Sequence, residues 1–293
     1  MEQLSPTEEV LDMMNPLGCS SRKELNSERV DMFGFVLGVM MGDASKPERG
    51  RFRFPSRTIS LTLSHAKPNS FKLGEFTTNC VNASLGLAMH RIADAPSSEG
   101  RFTTAECFRW LSPASPLLAW AFHGCMGYKE GERTTYDPAR MDWILNAPRS
   151  FQTQFFQGMT ESDGWVDAGA DRAKFVSSPN ERLFNALLNC IDIPYKLYAQ
   201  PSITRIEVPT EKALTIPFFS EKMATNNYEE LVIMATAKRF EERIPIPEQF
   251  IKQIEPILRK NKEYNRICLD IASTTGYKIS SETVKKYKQL ADT

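Results

Sequence analysis

Residues 33–43, FGFVLGVMMGD, are apolar up to their last position and carry Gly34, Gly38 and Gly42 at every fourth residue. In a helix that spacing sets all three glycines on one ridge. A glycine inside a helix costs roughly 0.5–1 kcal/mol relative to alanine, so a ridge of three predicts that another backbone comes very close there. In residues 155–164, FFQGMTESDG, the arrangement returns: Gln154, Gly158 and Ser162 hold the same ridge, and Asp163 follows it as Asp43 follows the first. This repeat, with about 120 residues between its copies, predicts two helices packed around a pseudo-twofold axis with Asp43 and Asp163 side by side at their ends. Two carboxylates held so close repel, and hard divalent cations relieve the repulsion. The competing reading is a pair of core helices with a glycine face and no site.

The remaining pattern divides the chain into five parts. Residues 1–29 form an arm in which Ser5-Pro6-Thr7-Glu8 has the spacing of a helix start, predicting a short helix to about Met14. Residues 30–127 form the first unit. In it ISLTLS alternates Ile59, Leu61 and Leu63 with Ser60, Thr62 and Ser64, the period of a half-buried strand within a hairpin over 46–67. A helix over 69–87, a strand pair in HRIADA and FTTAECFRWL and a short helix over 112–127 complete it. A polar linker, 128–150, precedes the second unit, 151–222, which replays the order as motif helix, strands at 164–169 and 171–178, a helix at 180–191, strands at 195–200 and 202–208, and a last helix at 212–222. Both units therefore read αββαββα, predicting an α/β (α+β) fold. Residues 223–293 add a helical extension.

Charge changes this picture locally. Net charge is zero, so any attraction to nucleic acid has to come from patches. Lys46, Arg49, Arg51, Arg53, Arg57 and Lys67 face a single acid, Glu48, over residues 46–67. A twisted basic ribbon of that kind fits the DNA major groove, and the alternative is a solvated strand pair. In the second unit Arg172, Lys174, Lys196 and Arg205 are candidates of the same kind, but over residues 166–207 five basic residues meet five acids, which weakens phosphate contact there. Residues 252–288 carry nine basic residues against four acids, with Lys278, Lys285 and Lys286 in or near a candidate recognition helix, Thr283 to Gln289. That tail reads either as a helix-turn-helix that binds DNA or as a helical cap with a solvated basic face.

Six scattered cysteines without a Cys-x-x-Cys pair, and three histidines apart from them, argue against a zinc site or a disulfide framework. No apolar run approaches the ~20 residues of a membrane span, and the N-terminus is acidic rather than that of a signal or transit peptide. The expectation is a cytoplasmic protein, with a nucleoid or an organelle matrix as the other compartments.

At its two glycine ridges the chain resembles the LAGLIDADG homing endonuclease family. Residues 156–164, FQGMTESDG, align without a gap to the nine-letter motif; residues 36–44, VLGVMMGDA, align the same way but lack its first acid and last glycine. Order and spacing are those of a single-chain, two-repeat member. The resemblance implies two sheets forming a saddle over double-stranded DNA, with the motif helices at its centre and Gly34, Gly38 and Gly158 at their interface. It implies phosphodiester hydrolysis on each strand, with Mg²⁺ or Mn²⁺ held by Asp43 and Asp163 and by the carbonyls of Gly42 and Ser162. It also implies a role for Lys212, just after the last strand, in polarising water or stabilising charge on phosphate. The reading from a different class is a regulator that binds DNA on this scaffold without cutting it, and a third is an RNA-splicing maturase. A monomer suffices for two repeats, and no protein or membrane partner is implied.

Overall fold

The computed structural model describes residues 27–42, 48–49, 57–64, 70–92, 107–128, 136–137, 140–177, 180–216, 218–223, 225–240, 248–259 and 263–291. The predicted arm helix lies outside them, as do Asp43, Lys46, Arg51, Arg53 and Lys67.

Helix α1 (Ser27–Gly42) is apolar around its circumference, and its residues from Phe33 to Met41 are buried, as a helix with partners on all sides requires. Strands β1 (Glu48–Arg49) and β2 (Arg57–Thr58) pair antiparallel. After β3 (Ser60–Ser64) come helix α2 (Ser70–Leu85) and strands β4 (His90–Ile92) and β5 (Cys107–Leu111), with β5 central between β3 and β4 and antiparallel to both. The rows Leu61–Trp110–Arg91 and Leu63–Phe108 face α2. Gly74 admits the Trp110 indole so closely that a β-carbon would stand 2.1 Å from it, and the indole N–H donates to Glu75 at 2.9 Å. Ile59, Leu61 and Leu63 are buried as their alternation predicts. The helix expected over 112–127 is a short α-helical turn, α3 (Pro116–Ala119), widening into a π-helical one (Trp120–Cys125), which stacks Trp120 on Phe33.

A 3₁₀ turn (Asp142–Asn146) leads into α4 (Arg149–Asp163), which passes into β6 (Gly164–Asp167) without a loop. Then follow β7 (Arg172–Ser177), α5 (Glu181–Cys190), β8 (Lys196–Ala199), β9 (Thr204–Pro209) and α6 (Thr210–Thr215). The strands form an antiparallel sheet in the order β6-β7-β9-β8. On its inner face Val166, Ala173, Phe175, Ile206 and Val208 are buried, with α5 contributing Leu183, Phe184, Leu187 and Leu188 from one amphipathic stripe. The outer face carries the cross-strand rows Trp165–Lys174–Glu207–Lys196 and Val176–Arg205–Tyr198. The protein is thus a mixed helix and sheet fold with antiparallel sheets; the second half runs αββαββα with its last helix shortened to Thr210–Thr215, whereas the first half places three short strands between α1 and α2, two of them in a ribbon separate from the β3-β5-β4 sheet.

The extension comprises α7 (Asn226–Thr236), β10 (Lys238–Arg239), α8 (Glu248–Leu258), α9 (Tyr264–Thr275), β11 (Tyr277–Lys278) and α10 (Ser281–Ala291), with β10 and β11 pairing in parallel. Helix α9 stops at Gly276, whose φ of +72° suits glycine and whose N–H closes on the Ala272 carbonyl at 2.9 Å. The extension is fastened to the second half. Asn265 donates to the Val166 carbonyl at 3.1 Å and accepts from the Gly169 N–H at 3.2 Å, and the Ser281 N–H donates to the Gly169 carbonyl at 3.3 Å.

Candidate functional site

Helices α1 and α4 cross with their backbones in contact, and the contact is reciprocal. A β-carbon on Gly38 would stand 2.2 Å from the Phe155 carbonyl oxygen and 2.8 Å from the Met159 nitrogen. One on Gly158 would stand 2.2 Å from the Phe35 carbonyl oxygen and 3.1 Å from the Val39 nitrogen. Phe35 and Phe155, like Val39 and Met159, are equivalent positions of the repeat, so each helix meets the other through the same surface, as a twofold axis demands. Gly34 meets the Phe151 carbonyl, and the Ser150 hydroxyl donates to Asp31 at 2.9 Å.

The last turns of the two helices stay equally close. A β-carbon on Gly42 would collide with the Ser162 side chain and would lie 3.1 Å from a carboxylate oxygen of Asp163. The Ser162 hydroxyl turns back to the Gly158 and Met159 carbonyls, at 3.0 and 2.9 Å. Asp163 is half-buried, and burial pushes its carboxyl up to about 6 from an ordinary value of 3.8. No charged or hydrogen-bonding group among the described residues offsets this. An oxygen ligand that is desolvated and unpaired is suited to a cation, and the residue after Gly42 is the second motif acid, Asp43. Among the described residues no three His, Cys, Asp or Glu side chains gather into a metal-binding group.

The other acid of the second motif, Glu161, does different work. Its buried carboxylate accepts from the Ser220 N–H and, at 3.0 Å, from the Thr225 hydroxyl, while the Thr225 hydroxyl also caps α7. Beside it the Thr160 hydroxyl donates to the Phe218 carbonyl, and Asn227 donates to the Gly164 carbonyl at 3.0 Å. These bonds tie the end of α4 to residues 218–227 and hold Asp163 in place. The equivalent of Glu161 in α1 is the buried Met41. Sequence reasoning gave neither Thr225 nor Asn227 a part in the site, because their bonds span more than 60 residues.

The structure distributes the basic candidates unevenly. Arg49 and Arg57 are cross-strand partners in the β1–β2 ribbon. Arg109 is exposed on the first sheet away from α2, with its Nε donating to Ser60 at 3.3 Å. Arg172, Lys174, Lys196 and Arg205 share the outer face of the second sheet. There the Lys174 ammonium is 2.7 Å from Asp167 and 3.2 Å from Glu207, and Arg205 lies 3.1 Å from Glu207 and over the Tyr198 ring. Much of that charge is therefore already compensated. Lys212 is exposed on α6, and its charge does not offset the burial of Asp163.

Lys278 corrects an expectation. Its side chain is 4% exposed, and its ammonium is held by Asp171 at 3.0 Å, Glu211 at 3.1 Å and the Met234 carbonyl at 3.2 Å. It is a buried tie between the extension and the second half, not the exposed cation that its basic segment predicts. The candidate recognition helix exists as α10, but its first turn is docked on the β6–β7 turn, with Thr283 and Val284 buried. Lys285 and Lys286 are exposed on it.

The sequence matches no family model and no curated protein. Among solved structures the chain is similar to I-DmoI in complex with DNA and manganese, at 11% identity and a TM-score of 0.44, covering 66% of this chain and 99% of that one. It is also similar to the homing endonuclease I-WcaI bound to its DNA recognition sequence, at 11% identity and a TM-score of 0.43, covering 74% and 91%. A third is the N-terminal LAGLIDADG domain of DUF199/WhiA, at 11% identity and a TM-score of 0.39, covering 76% and 94%.

Proposed function

We propose that the chain is a single-chain member of the LAGLIDADG homing endonuclease family that cuts double-stranded DNA at a specific site. One observation carries the reading: the two motif helices meet through reciprocal glycine contacts, and an unpaired, half-buried carboxylate, Asp163, stands at the end of that crossing against Gly42. A structural helix pair has no use for a desolvated acid without a partner.

Asp163 and Asp43 would hold the metal, with the Gly42 and Ser162 carbonyls as further oxygen donors. Mg²⁺ or Mn²⁺ bound there supplies an activated water and neutralises charge on the phosphodiester. The chain's own contribution is position. The glycine ridge lets the helix ends approach, and Glu161 and Asn227 anchor the turn that presents Asp163. Arg49, Arg57, Arg172 and Lys196, with Lys46, Arg51, Arg53 and Lys67 of the basic segment 46–67, supply phosphate contacts, and Lys285 and Lys286 add exposed charge on the extension. Lys212 remains the candidate to stabilise charge developing on phosphate.

The test is selection of fragments from a genomic DNA pool on the immobilised protein in Ca²⁺, followed by exchange into Mg²⁺. The reading expects release of fragments cut at one position, lost in the Asp43→Asn and Asp163→Asn proteins. Specific fragments that stay bound and intact would instead make the protein a regulator, and capture of RNA in preference to duplex DNA would make it a maturase.

A further inference from the structure

The turn between β6 and β7 and the C-terminal extension enclose an open cleft of about 410 Å³. The hairpin contributes Asp171 and Arg172, and the extension contributes Arg239, Phe240, Lys278 and Thr283. The carboxylate of Asp171 is fully engaged: it faces the Lys278 ammonium at 3.0 Å, the Arg239 guanidinium at 3.1 Å and the Thr210 hydroxyl. Arg172 has no carboxylate partner among the described residues, and its guanidinium is hydrogen-bonded to the Asp171 carbonyl at 3.4 Å. Arg239 touches Asp171 through one nitrogen, and its side chain is 69% exposed, so most of its donors face outward.

The position of Arg172 connects this cleft to the sheet. Along β7 it shares the outer face with Lys174 and Val176, so the cleft opens at the edge of that face. We propose that the cleft holds a backbone phosphate of duplex DNA lying across the sheet, with Arg172 and Arg239 as its two contacts, so that the extension meets DNA at the hairpin turn. Two planar donor forks suit a phosphate, and the Phe240 ring offers an apolar wall to the adjoining sugar. This rests on the reading of the chain as a DNA-binding protein and adds a contact that the helix-turn-helix pattern does not predict.

The experiment is the salt dependence of affinity for a duplex of random sequence, measured for the unaltered protein and for Arg172→Gln, Arg172→Lys, Arg239→Gln and, as a control elsewhere on the extension, Arg259→Gln. Each glutamine variant in the cleft is expected to bind several-fold more weakly near physiological salt and to lower the slope of log K against log salt by about 0.9. Arg172→Lys should keep the slope, and Arg259→Gln should change neither quantity. Because Arg172 has no ion pair to lose among the described residues, the melting temperature of Arg172→Gln should stay close to that of the unaltered protein. Affinity and slope unchanged in both glutamine variants would overturn the proposal while leaving DNA binding intact. Failure of the unaltered protein to bind duplex DNA would overturn the functional reading and this proposal with it.

Discussion

Gly38 and Gly158 face each other across the crossing of α1 and α4, with the α-carbon of Gly158 3.0 Å from where a β-carbon on Gly38 would sit. Neither position has room for a methyl group, since in each case the obstacle is a carbonyl oxygen of the opposite backbone. This contact joins the two halves of the molecule and sets how far apart their helix ends emerge.

Gly38→Ala and Gly158→Ala are each expected to lower the free energy of unfolding by about 1–3 kcal/mol, although alanine is the better helix former. Chemical denaturation measures this. The double variant should lose less than the sum, because the first methyl already forces the helices apart.

Asp163→Asn should abolish cleavage at the selected site and leave specific DNA binding within a few fold. Loss of binding together with cutting would identify Asp163 as a structural acid. A gel assay of cutting in Mg²⁺ beside a binding titration in Ca²⁺ separates the two outcomes.

The raised pKa of Asp163 predicts a pH dependence in metal-free protein. The folded state resists ionisation up to about pH 6, whereas the unfolded chain ionises near 3.8. The folded form binds the proton more tightly, so stability should fall as pH rises between those values and level off above them. In Asp163→Asn protein this component should vanish, as the pH dependence of melting temperature would reveal.

Removing the buried Lys278 ammonium strands part of the charge of Asp171. Lys278→Met is expected to cost about 2–3 kcal/mol in urea denaturation, less than for a fully buried pair because Arg239 still faces Asp171. An exposed, DNA-contacting lysine would give no such loss.

Thiol chemistry offers an independent check on packing. Burial pushes the Cys80 thiol up to about 12 and Cys268 up to about 11, and Cys125 is likewise raised. Cys190 is exposed. At pH 8 an alkylating reagent should label Cys190 rapidly and Cys80, Cys125 and Cys268 only on unfolding, which peptide mass mapping would resolve.

Much of this architecture was legible in the residue pattern because its signals are local. The alternation of Ile59, Leu61 and Leu63 places one strand face, and the spacing of glycines at every fourth residue marks the crossing ridge. Locality also explains what the pattern misjudged. Lys278 reads as a surface cation in a basic segment, yet its three partners come from Asp171, Glu211 and Met234, which lie far off in the chain.

The sequence alone determined the glycine ridge and the pair of acids that end it, since helix periodicity and the repeat are written in neighbouring residues. Only the tertiary structure decided which charges remain free. Lys174 and Arg205 are compensated by Asp167 and Glu207, Lys278 is buried, Glu161 is engaged by Ser220 and Thr225, and Asp163 is left without a partner among the described residues. The physical reason is that a charge's availability depends on its desolvation and on the nearest opposite charge, and both are set by contacts between segments that the order of residues does not bring together.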